Sequence, residues 1–327
     1  MKTLIFKIKR RLTSTVRSFK SDCNFSVYYA CLRVANELGG RLGFTRLSAN
    51  ARAKKDAWIY NYLKSKLSVV IDKYKTDTSV GEKAENAPIW VCWWTGEDTA
   101  PPLVKQCIKS IRKNAGNHPV HLITAKNHSE FLDIPDCIID KVESGNMCIA
   151  NFTDYLRVSL IGKYGGLWLD ATIFCADTIP ENYFNLPFFT CKSEERECGY
   201  ISRMRWTSFV MGGWKENIFF RFMKNAFETY WTSESTAIDY LLVDHLIELA
   251  NREIPAVAEY IKNVPINNTH RDNLQAAMNA AADAAEFENI VKKDTVLYKL
   301  SWRESYSTTT ANGKDSVYKY FLEIKLF

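Results

Sequence analysis

From Ile5 the apolar residues fall at Ile5, Ile8, Leu12, Val16 and Phe19, spaced by three and four throughout. Lys2, Lys7, Lys9, Arg10, Arg11, Arg17 and Lys20 take most of the other positions. On a helix this makes one apolar stripe beneath a cationic face, the pattern of a segment lying in an anionic membrane interface. The competing reading is a helix docked on the body with its basic face in water. Residues 21–76 continue with helical spacing, with Tyr28, Leu32, Val34 and Leu38, then Trp58, Tyr62, Leu63 and Leu67, as expected inner positions. Gly39, Gly40 and Gly43 separate the two runs, and the polar stretch Thr76–Ala87 reads as a linker.

At Pro88 the period changes. Pro88–Trp94, Val120–Thr124, Leu167–Leu169 and Phe188–Cys191 read as short buried strands, with helices expected over Pro101–Asn114 and Asn151–Tyr164. Strands alternating with helices imply an α/β domain around a largely parallel sheet. Beyond residue 215 the pattern is helical, over Asn217–Trp231, Ala237–Asn251, Pro255–Lys262 and an alanine-rich run from Asp272 to Lys292. The expected organisation is a basic helical region, 1–85, followed by an α/β domain, 86–327, with a helical C-terminal part.

Composition narrows the function classes. The 327 residues are 46% apolar and 24% charged, as in a folded protein. No run of 18 apolar residues exists to span a bilayer, and the N-terminal pattern, broken by Lys7, Lys9, Arg10 and Arg11, is not that of a signal peptide. The nine cysteines are odd in number, irregularly spaced and free of CxxC pairs, which suits buried thiols in a reducing cytosol and no structural zinc.

The net charge of +6 conceals an asymmetry, for residues 1–83 carry 18 Lys and Arg against 6 Asp and Glu, a net of +12. That region calls for an anionic surface as partner. Nucleic acid has the right sign, but no zinc-finger, homeodomain or RNA-binding signature accompanies the charge. A membrane face, approached from the cytoplasm by a peripheral protein, is the expected partner.

The five histidines form no HExxH pair, and no GxSxG elbow, Walker loop or GxGxxG occurs. One block stands out: Thr153-Asp154-Tyr155-Leu156-Arg157, then Tyr164-Gly165-Gly166-Leu167-Trp168-Leu169-Asp170-Ala171-Thr172. Asp154 and Arg157 share a helix face and present an acceptor beside a fork of donors. Asp170 ends a buried strand, where open α/β sheets bind ligands. Spacing alone leaves an exposed ion pair and a turn residue as equal alternatives.

The block resembles the signature of GT-A-fold glycosyltransferases, S/T-D-x-x-R followed by G-G-x-Y/W-x-D-x-D. From about Pro88 to Trp302 the chain resembles the bacterial capsular polysaccharide synthesis protein family, which adds an opening W-x-G segment, here Trp94-Thr95-Gly96. The resemblance extends to Tyr230-Trp231, Asp239-Tyr240 and Lys299-Leu300. It implies a GT-A-type, Rossmann-like domain that moves a hexose from a nucleotide diphosphate, most simply UDP, with retention, onto an oligosaccharide or polyprenyl-linked glycan.

By the same resemblance Trp94 stacks on the base, with Trp93 as the alternative, and Asp154 and Arg157 hold donor-sugar hydroxyls. Gly165 and Gly166 let the backbone approach the nucleotide. Lys299, Ser301 and Trp302 belong to a loop over the diphosphate, where the Lys balances leaving-group charge. Asp239 and Asp244 sit at a helix start expected to face the acceptor. Where the general motif has a second carboxylate this chain has Thr172, a weaker ligand for Mg²⁺ or Mn²⁺. Asp170 remains as the single expected metal ligand, and dependence on a divalent cation is in question. Two other readings compete: a catalytically silent nucleotide-sugar-binding subunit, and a toxin-like protein glycosyltransferase.

Overall fold

The computed structural model describes residues 19–291 and 294–323. Most of the N-terminal stripe therefore lies outside the described residues; Phe19 and Lys20 open a short helical turn.

Three helices come first: α1 (Val27–Arg41), α2 (Thr45–Lys66) and α3 (Ser68–Tyr74). The Ser26 hydroxyl caps α1 by accepting the Tyr28 amide at 3.1 Å. Leu63 and Leu67 are buried as expected, but on α1 the inner side differs: Tyr29 and Ala30 are buried, whereas Tyr28 and Leu38 face solvent. Tyr29 is inward because it stacks on Trp58 at 4.9 Å and its hydroxyl donates to the Ile238 carbonyl. Lys55 of α2 meets Asp239 at 2.8 Å. The three helices thus share one hydrophobic core with the rest of the chain. Residues 76–87 are laid along the body, Glu82 bridging to Lys215 and Asn217 donating to the Val80 carbonyl at 3.1 Å.

The α/β part begins with β1 (Ile89–Cys92), α4 (Pro102–Asn114), β2 (Val120–Ile123), α5 (His128–Phe131), α6 (Asp136–Glu143) and α7 (Ile149–Tyr164). It continues through β3 (Gly166–Leu169), β4 (Ile173–Cys175), β5 (Phe188–Thr190) and β6 (Val210–Gly213). The central sheet has the order β2-β1-β3-β6-β5. β1 is parallel to β2 and to β3, while β6 is antiparallel to β3 and β5, so β6 alone runs against the other four. The α/β class and mostly parallel sheet expected of the sequence are the observed ones. Every residue of β1 is buried, because helices cover both faces and an uninterrupted apolar run fits there.

β6 had no pattern to announce it. Its sequence Val-Met-Gly-Gly lacks alternation, and a Cβ on Gly213 would fall 2.4 Å from the Pro187 carbonyl oxygen and from the Phe220 ring. Glycine there marks close approach between neighbouring elements.

The helical part comprises α8 (Ile218–Ser233), α9 (Leu242–Glu253), α10 (Pro255–Asn263), α11 (Asn273–Ala277) and α12 (Ala284–Ile290), then β7 (Leu297–Lys299) and α13 (Val317–Glu323). Two expectations need correction. The helix expected from Ala237 starts at Leu242, because the Tyr230 hydroxyl and the Asp239 carboxylate hold 236–241 as a turn. The alanine-rich run is two short helices, since carbonyls of Met278 and Ala280 accept the Tyr318 and Val317 amides instead of continuing a helix. Asp283 and Glu286 form a capping box that restarts it. β7 pairs antiparallel with β4, setting Lys299 opposite Ile173.

None of the nine cysteines is joined to another. Among the described residues no helix is long and apolar enough to cross a membrane.

Candidate active site

β3 ends at Leu169, and Asp170 follows at the carboxyl end of the strand, its amide tied to the Phe209 carbonyl at 2.9 Å. Trp168 lies two residues back on the same face, and its indole Nε1 donates to Asp170 Oδ1 at 3.0 Å. α7 is buried along most of its length, so the one face carrying Asp154 and Arg157 is turned inward. Arg157 divides its fork between two carboxylates: Nη1 to Asp154 Oδ1 at 2.5 Å and Nη2 to Asp170 Oδ1 at 3.1 Å. Its guanidinium also lies 5.0 Å over the Trp168 ring.

From the other side β7 delivers Lys299. Its Nζ is 2.8 Å from Asp170 Oδ2 and 2.8 Å from Thr172 Oγ1. The Lys299 amide is held by the Arg271 carbonyl and the Leu300 amide by the Thr172 carbonyl, both through backbone bonds of 2.8–2.9 Å. The side chain is therefore placed by a fixed strand pair, despite its length.

The three carboxylates of this region differ in acidity. Burial alone would raise Asp170, but the Lys299 ammonium and Arg157 guanidinium, with bonds from Lys299 and Trp168, hold it below the usual carboxylate range. Burial pushes Asp154 up to about 7, against the pull of Arg157 and with repulsion from Asp244 and Asp170. Burial also raises Asp244, despite the bond from Trp206 Nε1 at 2.8 Å.

Asp154, Arg157, Asp170, Thr172 and Lys299 line a cleft of about 660 Å³. Cys92, Trp93, Trp94 and Thr95 form its wall at the end of β1, and Ser301, Trp302 and Arg303 form the wall after β7. Trp93 and Trp302 meet edge to face at 5.6 Å, and Trp94 packs edge-on against Phe152 at 5.1 Å. The Trp93 Nε1 and Arg157 Nε donors are buried with no hydrogen-bond partner among the described residues.

The cleft thus gathers Trp94, Thr95, Asp154, Arg157, Asp170, Thr172, Lys299, Ser301 and Trp302, nine of the residues singled out in the sequence. Five others lie elsewhere. Gly165 and Gly166 stand at the opposite end of β3 from Asp170, about 13 Å away along an extended strand. Gly166 is glycine for packing: at φ +104° a Cβ would sit 2.0 Å from the Pro88 carbonyl oxygen. Neither glycine is among the residues that line the cleft. Gly96 turns the chain just beyond Thr95, outside the lining.

Asp239 is turned away toward Lys55. Burial would raise its carboxyl, yet the bond from His245 and the Lys55 ammonium hold it well below the usual range. Asp244 is spent on Trp206 behind the cleft wall. The wall itself is made by their neighbours Tyr240, Leu241 and Val243, and by Ser208. Sequence reading did not single out these four as lining residues. Tyr240, adjacent to Asp239 in the motif, was the signal available for the first.

The donor set differs from that of a two-carboxylate cation site. Among the described residues no three His, Cys, Asp or Glu side chains come together as metal ligands. Both Asp170 oxygens are engaged, and Lys299 bridges Asp170 and Thr172, where the two acids of a D-x-D motif would otherwise converge. A divalent cation at these two residues would have to displace the Lys299 ammonium, so the set as it stands fits a cation poorly.

Comparison with protein families matches residues 41–321 to the family described as capsular polysaccharide synthesis protein. A curated relative, the O-glycosyltransferase braB of Annulohypoxylon truncatum, is 30% identical over 95 residues, covering 26% of this chain. The match spans about a quarter, 23%, of that relative's length. Among solved structures, the PaToxG glycosyltransferase aligns with 65% of this chain and 83% of its own, at 14% identity and a TM-score of 0.37.

Proposed function

This chain belongs to the capsular polysaccharide synthesis protein family, and from that premise we propose that it is a glycosyltransferase that moves a hexose from a UDP-sugar onto a lipid-linked oligosaccharide. The observation that carries the reading is the Asp154–Arg157–Asp170–Lys299 network on one wall of an aromatic cleft. Trp94 or Trp93 would take the flat face of the base, leaving the diphosphate to run toward Lys299. Asp154 and Arg157, which line the cleft, would read hydroxyls of the sugar.

In the transfer the bond between the anomeric carbon and the diphosphate oxygen breaks, and its electron pair leaves with the diphosphate. An acceptor hydroxyl oxygen bonds to the anomeric carbon and its proton is released. The charge that develops on the diphosphate meets the Lys299 ammonium, held in place by Asp170 and Thr172 before substrate arrives. Such preorganised donors are worth far more inside a cleft than in water. Retention of configuration and the polyprenyl-linked, membrane-side acceptor belong to the same reading, the latter supported by the basic N-terminal quarter.

One observation favours a second reading. The acid expected at the end of the motif is Thr172, and a silent nucleotide-sugar-binding subunit would tolerate that loss. Release of UDP from UDP-sugars in the presence of a membrane glycan extract separates the two. An enzyme releases UDP and labels the glycan. A binding subunit is thermally stabilised by the same nucleotide sugars, by mass action, and releases nothing.

A further inference from the structure

The turn between α1 and α2 is unlike the rest of the surface. All eight residues from Gly40 to Leu47 are exposed. Leu38, Leu42, Phe44 and Leu47 project there with 43%, 66%, 59% and 55% of their surface in water. Single exposed apolar residues are ordinary, but four large ones on one tip are not. Arg41 and Arg46 alternate with them, giving Arg-Leu-Gly-Phe-Thr-Arg-Leu. Arg41 is paired with Glu37 one turn back on α1, and from Leu38 to Lys54 four basic residues, Arg41, Arg46, Arg52 and Lys54, face that single carboxylate, a net positive tip.

We propose that this α1–α2 tip is a membrane-docking wedge: Leu42 and Phe44 enter the acyl boundary of an anionic bilayer while Arg41 and Arg46 contact its headgroups. Charge selects the occupant. Residues 1–20 carry an apolar stripe of their own, but with seven basic side chains and no acidic one they are repelled by a basic tip. A second copy would set the same arginines against each other. An anionic lipid surface attracts the tip and the N-terminal segment together. The inference rests on the membrane-side reading of the acceptor, and its test involves no sugar transfer, so each can fail without the other.

The test uses the full chain and vesicles of phosphatidylglycerol and phosphatidylcholine in equal parts, with pure phosphatidylcholine as control. Both tip side chains are exposed, so Leu42→Asp/Phe44→Asp should keep the native thermal midpoint while partitioning falls about tenfold or more. Arg41→Gln/Arg46→Gln should lose binding only to the anionic vesicles. Hydrogen exchange should show residues 38–47 protected when vesicles are added to the native chain. Unchanged partitioning in the tip variant, or no protection of 38–47, would overturn the wedge. So would concentration-dependent self-association that the tip variant abolishes, which would make the tip a contact between copies.

Discussion

The Lys299 ammonium lies 2.8 Å from Asp170 Oδ2 across 129 positions of sequence, and at the same distance from Thr172 Oγ1. One side chain thus ties the end of β3 to β7 and the cleft wall that follows it. Replacing it by the uncharged Met should lower the rate of UDP release by about 10²–10³, the range found for removing a charge-stabilising donor. The cleft walls should survive, because the β4–β7 pairing that holds position 299 is made by backbone. Steady-state kinetics beside a melting curve checks both parts; a Met variant with native turnover would remove Lys299 from the chemistry.

Arg157 is 4% exposed and serves two carboxylates at once. A Lys there keeps the charge but cannot span both acceptors. Arg157→Lys should therefore lose at least about a hundredfold in kcat/KM, and Arg157→Ala should also destabilise by about 3–5 kcal/mol, because breaking a buried pair strands its partner. Native kinetics in the Lys variant would reduce the fork to a structural ion pair.

Thr172 gives the clearest handle on the cation question. In the native protein Lys299 already bridges the two motif positions. Chelator should leave most transfer intact. Thr172→Asp supplies a second carboxylate beside Asp170, and Mn²⁺ should then bind at least about tenfold tighter by calorimetry. Sharp loss of native activity at trace chelator would show that a cation acts with ligands other than these.

Asp154 carries a pH signature. Its folded carboxyl titrates at about 7, above the usual 3.8. Between those values the folded protein holds a proton that the unfolded chain has released, so stability falls as pH rises through the window and levels above it. Asp170 has the opposite sign, its depressed carboxyl contributing stability that is lost only as pH falls below the ordinary carboxylate range. Thermal midpoints of the native protein should accordingly decline from pH 5 to pH 8 relative to Asp154→Asn. Parallel curves for the two proteins would mean that Asp154 is ionised throughout.

The N-terminal segment precedes the Asp22–Arg33 pair, at 2.6 Å the first ion pair among the described residues. Each Lys or Arg near an anionic leaflet contributes about 1 kcal/mol. A chain lacking residues 1–18 should bind anionic vesicles at least about tenfold more weakly, keep residual binding through the α1–α2 tip, and transfer normally to a soluble acceptor. Unfolding of the shortened chain would instead place the stripe against the body.

What the sequence disclosed follows from the range of the interactions. Helix spacing put Asp154 and Arg157 on a shared face and the end of a buried strand placed Asp170, but the motif resemblance, and not spacing, marked the three as a site. The Lys299–Thr172 bridge was not legible, since no local pattern reports a contact 127 positions apart. Gly165 and Gly166 were read as ligand-facing although they stand at the other end of β3; motif spacing says that a turn needs glycine, and not which neighbour crowds it. Asp239 and Asp244 looked available on a helix start, but Lys55 and Trp206 had claimed them from distant elements. β6 went unread because its glycines carry packing information and no period.

The seam between the N-terminal helices and the cleft wall bears on how members of this family can be recombined. Tyr29 grips the Ile238 carbonyl and Lys55 grips Asp239, while the next residues, Tyr240, Leu241 and Val243, face the cleft. A chimera cut at residue 86 would therefore separate a wall from its buttress. Grafting the catalytic body of one relative onto the helices of another should preserve donor handling, which depends on β3, α7 and β7, and disturb whatever contacts the 240–243 wall. Exchanges that move residues 21–75 and 236–245 as one unit should carry specificity across intact.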